Sequence, residues 1–181
     1  MYIKRHLENV VNQMSLVFPV ILVTGPRQVG KTTLLRKIAA QNRAYVTLDN
    51  PLIRDLAKTD PELFLQRYQP PVLIDEIQYA PELLPYIKML VDENKQKGDF
   101  WLTGSQMFHM MKNVSESLAG RAGVIYMLGL STSEIFGTDN QPYTTAYERL
   151  STRKQSVKNV NDVFERIFKG SMPALYEIEQ D

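Results

Sequence analysis

Two periodicities alternate along the chain. Short continuous apolar runs occur at 20–24 (Val-Ile-Leu-Val-Thr), 44–48 (Ala-Tyr-Val-Thr-Leu), 70–76 (Pro-Pro-Val-Leu-Ile-Asp-Glu), 99–104 (Asp-Phe-Trp-Leu-Thr-Gly) and 124–130 (Val-Ile-Tyr-Met-Leu-Gly-Leu). Each is bounded by turn residues and reads as a buried strand. Between them, apolar residues recur at three- and four-residue spacing, the period of a helix with one buried face. Ile3, Leu7, Val10, Val11 and Met14 predict a helix over 3–14 that packs beside the first strand. Leu34, Leu35 and Ile38 give the stripe of a helix over 31–40, with Arg36 and Lys37 on its other faces. Leu83, Leu84, Ile87, Leu90 and Val91 give that of a helix over 81–97.

End signals sharpen these elements. Asn50-Pro51 and Asp60-Pro61 each place a capping side chain before a proline at the first helical position, so two short helices follow, the second through about 68. Pro85 falls in the first turn or so of its helix, where proline does least damage. Lys95, Lys97 and Gly98 close that helix with basic residues and then glycine. Ser131-x-x-Glu134 is a capping box, and Gly137 ends the short helix it starts. Strands alternating with helices require right-handed crossovers, hence an α/β fold with a parallel sheet covered on both faces.

The pattern lapses over 137–159, a polar stretch with Arg149, Arg153, Lys154 and Lys158, and resumes at Val160, Val163, Phe164, Ile167 and Phe168. The expected organisation is therefore a domain over 1–136, a polar and basic linker or insertion over 137–159, and the start of a further domain over 160–181. The basic stretch has no aromatic within it, so a solvated helix or loop is the plain reading, with nucleic-acid contact the alternative. Met107, Phe108, Met110 and Met111 read as core filler.

Composition narrows the chemistry. The 181 residues carry a net charge of +1, which offers no global attraction for nucleic acid or anionic membrane. There is no cysteine, which rules out disulfides and thiolate chemistry within the chain and fits a cytoplasmic setting. The two histidines, His6 and His109, lie too far apart in sequence to suggest a metal site. No apolar run approaches membrane-spanning length.

The turn after the first strand carries the chemistry. Gly25-Pro26-Arg27-Gln28-Val29-Gly30-Lys31-Thr32-Thr33 fits the phosphate-cradling P-loop pattern between a strand and a helix. Its glycines let successive backbone N–H groups point inward at phosphate oxygens, and a helix N-terminus favours the same anion. Lys31 would reach the β- and γ-phosphates, and the Thr32 hydroxyl would ligate Mg²⁺. The third strand ends in Asp75 and Glu76, an adjacent acid pair that is costly unless a cation sits there. Asp75 would hold Mg²⁺ through a water. Glu76, pointed elsewhere by strand alternation, would polarise the water attacking a γ-phosphate. Thr103 and Ser105, after the fourth strand, are candidate γ-phosphate sensors, and Ser105 equally suits a helix cap. Arg121 would reach a γ-phosphate in its own chain or a neighbour's, or is a surface or ion-paired arginine. Arg5 reads as a solvated arginine, with an approach to the nucleotide as the alternative.

Gly25-Pro-Arg-Gln-Val-Gly-Lys-Thr-Thr-Leu-Leu35, Ile74-Asp-Glu-Ile-Gln78, Leu102-Thr-Gly-Ser-Gln106 and Ser115-Glu-Ser-Leu-Ala-Gly-Arg121 together resemble the prokaryotic AAA-type P-loop ATPases. The likeness is dense over 2–136 and returns at 163–176. It implies a P-loop NTPase fold with a sheet of order 5-1-4-3-2, ATP and Mg²⁺ as ligands, Thr103 or Ser105 as sensor and Arg121 as an arginine finger, in a homo-oligomer where it acts in trans. It also implies a C-terminal domain, of which this chain would hold only the start. The expected activity is Mg²⁺-dependent ATP hydrolysis acting on a partner protein or on that domain. A slow nucleotide switch shares every motif. A P-loop kinase is disfavoured, because Glu76 directly after Asp75 suits a water nucleophile.

Overall fold

The computed structural model describes residues 2–39, 41–105, 117–137 and 159–176. The methionine cluster at 107–111, the helix expected after Ser105 and the basic residues between Arg149 and Lys158 lie outside the described residues. The chain divides into two compact units, Leu7–Leu128 and Met1–His6 with Gly129–Asp181.

The unit Leu7–Leu128 is built on one parallel sheet. Its strands are β1 (Val20–Thr24), β2 (Ala44–Thr47), β3 (Val72–Asp75), β4 (Phe100–Gly104) and β5 (Ala122–Tyr126), in the order β2-β3-β4-β1-β5. This is the order 5-1-4-3-2 read from the other edge. β1 is an inner strand and wholly buried, pairing with β4 (Val20 beside Phe100) and β5 (Val20 beside Ala122). Side-chain alternation divides the core. Val20, Leu22, Ile74 and Leu102 face α3 (Pro51–Thr59), α4 (Pro61–Arg67) and α5 (Leu83–Asn94), and Ile21, Val23, Leu73 and Trp101 face α1 (Leu7–Ser15) and α2 (Lys31–Ile38). The two proline-started helices are capped as expected. The Asn50 side chain accepts from Leu52 N at 3.0 Å, and that of Asp60 accepts from Leu63 N at 2.9 Å.

Three boundaries differ from the apolar pattern. α1 begins at Leu7 rather than 3, because the His6 N–H is taken by the Glu134 carboxylate at 2.8 Å; Val10 is exposed. α5 ends at Asn94, and its left-handed cap is Lys95 (φ 54), the first of the three residues expected to close it, so the helix stops short of 97. β5 occupies 122–126 rather than 124–130. Small Ala122 and Gly123 enter the ladder, because Met14 and Phe18 pack where a Gly123 Cβ would sit. Met127 and Leu130, which extended the apolar run, are buried beyond the strand.

In the other unit, α6 (Thr132–Phe136) and α7 (Val160–Lys169) each begin with a capping box, Ser131 with Glu134 and Asn159 with Asp162. Glu134 also pairs with Arg5 at 3.0 Å, both side chains 5 % exposed. Arg5 is therefore a buried ion-pair residue, not a solvated arginine, and its guanidinium also donates to the Gly129 carbonyl at 3.1 Å.

Candidate functional site

The site lies at the carboxyl ends of β1, β3 and β4, in the unit Leu7–Leu128. β1 runs into Gly25, where a Cβ would strike the Met127 carbonyl oxygen, so only glycine fits. Pro26, Arg27 and Gln28 form an exposed tip, and Val29 pins the loop back into the core at 1 % exposure. Gln28 (φ 64) and Gly30 (φ 93) take left-handed conformations, the kind of backbone from which anion-binding nests are built. Gly30 is the N-cap of α2 and has no side chain to cap it, so the first turn, Lys31 to Thr33, keeps the donors of a helix N-terminus.

Lys31 is buried and donates to the carbonyls of Gly25 at 3.1 Å and Pro26 at 2.7 Å. Burial pulls its pKa below the ordinary lysine value, against the opposing charges of Glu76 and Asp75. Thr32 points at β3, its hydroxyl donating to Asp75 Oδ1 at 2.6 Å. The Thr103 hydroxyl donates to the same oxygen at 2.5 Å, and the Tyr45 hydroxyl donates to Oδ2 at 3.2 Å. Burial, then the charge and hydrogen bonding of Asp75, raise the Tyr45 pKa. Asp75 is thus held by hydroxyls from α2, β4 and β2. Thr32 and Asp75 form a small hard-oxygen donor pair, the kind a Mg²⁺ ion uses when phosphate and water supply its remaining ligands. The residues present fit that ion.

Glu76 leaves the strand. It adopts φ 59 and ψ 48, so a left-handed turn sets its direction, not the strand alternation expected from the sequence. That conformation is unfavourable for a residue with a Cβ, by about 1–3 kcal/mol, and persists because neighbours hold it. Its N–H donates to the Thr103 hydroxyl at 3.0 Å. The Ser105 hydroxyl lies 3.3 and 3.2 Å from its two carboxylate oxygens, and the Gln78 amide donates to Oε2. Thr103, one of two candidate sensors, is fully buried and bound to both acids, whereas Ser105 is half-buried beside Glu76 alone.

The structure does not bring Arg121 to this cluster. It precedes β5, and its carbonyl accepts from Val20 N at the amino end of β1. About 13 Å of strand, at ~3.3 Å per residue, separates that end from Thr24. Its guanidinium pairs with Asp92 at 2.5 and 2.9 Å. Tyr45 joins the site without a motif to announce it. Gln78 closes the Ile74–Gln78 block, two residues beyond Glu76, but the sequence assigns it no role.

A Gly-rich loop feeding α2, an acid pair at the end of β3 and polar side chains at the end of β4, on a sheet of this order, define a P-loop NTPase. The model of the AAA domain family matches residues 17–136, and the chain belongs to that family, a class of nucleotide-binding ATPases. Two curated relatives, "Uncharacterized protein Rv2008c" of Mycobacterium tuberculosis and "Uncharacterized protein Mb2031c" of Mycobacterium bovis, are 38 % identical over 120 residues. The match covers 65 % of this chain and 26 % of each relative, so it spans about a quarter of their length. The fold resembles the Walker-type ATPase PABY2304 of Pyrococcus abyssi (TM-score 0.54, 18 % identity, 75 % of this chain and 56 % of that one). It also resembles AMPPCP-bound DnaA of Aquifex aeolicus (TM-score 0.53, 14 % identity, 94 % and 57 %). Among the described residues, no helix is long and apolar enough to cross a membrane.

Proposed function

We propose that the chain binds ATP with Mg²⁺ and hydrolyses it to ADP and phosphate, and that this drives a conformational change in a partner protein or in a C-terminal domain of the same protein. The observation that carries the reading is the 2.6 Å contact between the Thr32 hydroxyl and Asp75 Oδ1, which joins the phosphate loop to the acid pair. Backbone N–H groups of the loop between Gly25 and Thr33, Pro26 excepted, cradle the phosphates. Lys31 exchanges its two loop carbonyls for phosphate oxygens. Thr32 and Asp75 hold Mg²⁺, which when bound neutralises charge on the phosphate oxygens. Glu76 takes the proton of the attacking water as its oxygen bonds to the γ-phosphorus and the bond to the bridging oxygen breaks. Ser105 reads the γ-phosphate beside Glu76, and Thr103 positions both acids. Arg121, remote from its own loop, serves a neighbour's site in a homo-oligomer.

The test is Mg-ATP affinity and turnover of the wild type beside Lys31→Ala and Glu76→Gln. Lys31→Ala is expected to abolish binding, and Glu76→Gln to bind ATP and lose hydrolysis. Unchanged hydrolysis in Glu76→Gln refutes the water-activating role. Tight binding with negligible wild-type turnover assigns the chain to the slow-switch reading instead.

A further inference from the structure

We propose that Gln78 is a positioning residue that aims the Glu76 carboxylate; the inference rests on the reading of Glu76 as the group that activates water. Gln78 belongs to the 3-10 turn Ile77–Tyr79. Ile77 is 1 % exposed and anchors that turn in the core, so the Gln78 backbone is placed by packing, independently of any ligand. Its side-chain amide bridges the ends of two strands. Oε1 accepts from Ser105 N at 3.3 Å, and Nε2 donates to Glu76 Oε2. A backbone N–H is only a donor, so it fixes which way round the amide sits: carbonyl toward β4, NH2 toward the carboxylate.

This matters because Glu76 stands on a left-handed turn rather than in a strand, and its long side chain has no ladder to orient it. Free, such a side chain samples many rotamers, and ordering it costs conformational entropy. Here its N–H is tied to Thr103, and its carboxylate to Gln78 and Ser105. A carboxylate offers about four lone-pair sites, so these contacts leave others for a water. An amide of glutamine length meets both requirements at position 78. A carboxylate there would set like charges together, and an apolar group would release Glu76.

The test uses the full chain with Gln78→Met, which keeps length and removes the amide, and Gln78→Asn, which keeps the amide but draws it back by one methylene. Both are measured for Mg-ATP affinity and turnover, and Gln78→Met also for single-turnover rate in a Glu76→Gln background. Gln78→Met is expected to lower kcat about tenfold or more with ATP affinity within about twofold, and Gln78→Asn to fall between it and wild type. In the Glu76→Gln background, Gln78→Met is expected to have no further effect, because it acts through that carboxylate. Three results overturn the proposal: an unchanged kcat in Gln78→Met, a loss of affinity that parallels the loss of rate, or the full loss persisting in the Glu76→Gln background. If Glu76→Gln alone keeps wild-type turnover, the reading of Glu76 fails, and the role of Gln78 with it.

Discussion

Replacing Thr103 by valine removes one hydroxyl and keeps the shape of the side chain. That hydroxyl donates to Asp75 Oδ1 at 2.5 Å and accepts the Glu76 N–H at 3.0 Å, and the residue is fully buried. Losing a hydrogen bond to a charged group costs about 1.5–3 kcal/mol, and the stranded N–H of Glu76 about 1–3 kcal/mol more. The added methyl returns about 0.8 kcal/mol of burial, which leaves a net destabilisation of about 2–5 kcal/mol. Urea unfolding followed by the fluorescence of Trp101 reads this directly, since the chain has a single tryptophan and it lies on β4, 3 % exposed. Turnover is expected to fall with stability, because Glu76 loses its backbone anchor, while ATP affinity holds. Thr103→Ser keeps the hydroxyl and loses a methyl, for about 1 kcal/mol. A Thr103→Val protein within about 0.5 kcal/mol of wild type refutes the anchoring argument. Lost turnover at unchanged stability would then mark Thr103 as a phosphate sensor.

Other perturbations follow from the same geometry. Burial pushes the Glu134 carboxyl up, but the N–H groups of Ser131 and His6 and the Arg5 guanidinium outweigh it and hold the pKa below the ordinary glutamate value. Its stabilisation is therefore complete above that pH and lost as pH falls through the depressed value, and Glu134→Gln is expected to flatten this dependence in hydrogen exchange at the Ser131 and His6 amides. Glu134→Ala should lower protection there by about 3–5 kcal/mol, the cost of stranding a buried charge partner. Arg43 lies 4.1 Å over the Trp101 ring and donates to the Gly98 and Asp99 carbonyls at 2.8 and 3.2 Å. Arg43→Met is expected to lose about 2–3 kcal/mol in urea unfolding, and Arg43→Lys, which has no planar fork, to recover less than half of it. Arg121→Ala is expected to leave the unfolding midpoint in place and to lower turnover only at protein concentrations where subunits associate.

The elements that rest on local signals were readable from the sequence. The strand–loop–helix turn of the P-loop, the position of Asp75 at the end of β3, the proline-started helices and the capping box at Ser131 each depend on residues a few positions apart, and the structure has these elements where they were expected. The apolar run at 124–130 misled because burial and strand membership part company at a sheet edge: Met127 is buried off the strand, whereas Tyr126 is 47 % exposed on it. Arg5 and Glu134 meet across 129 positions, and nothing near either residue foretells the pairing. Glu134 was legible as a cap but not as the anion for a buried guanidinium. Tyr45 reaches Asp75 from the neighbouring strand, a contact that depends on the register of β2 against β3. Glu76 had the look of a strand residue until the chain was seen to turn left-handed under it.

The sheet order has a dimensional consequence. β1 and β3 are not neighbours; β4 lies between them. The loop that follows β1 and the acids that follow β3 therefore stand two inter-strand spacings apart, about 9–10 Å. Hydrogen-bond length sets that spacing, and side-chain identity barely changes it. The sheet thus acts as a gauge block, fixing the width of the cleft independently of the residues that line it. Substitution can retune the charge and hydrogen bonding across the cleft, but only rebuilding the strand order would resize it.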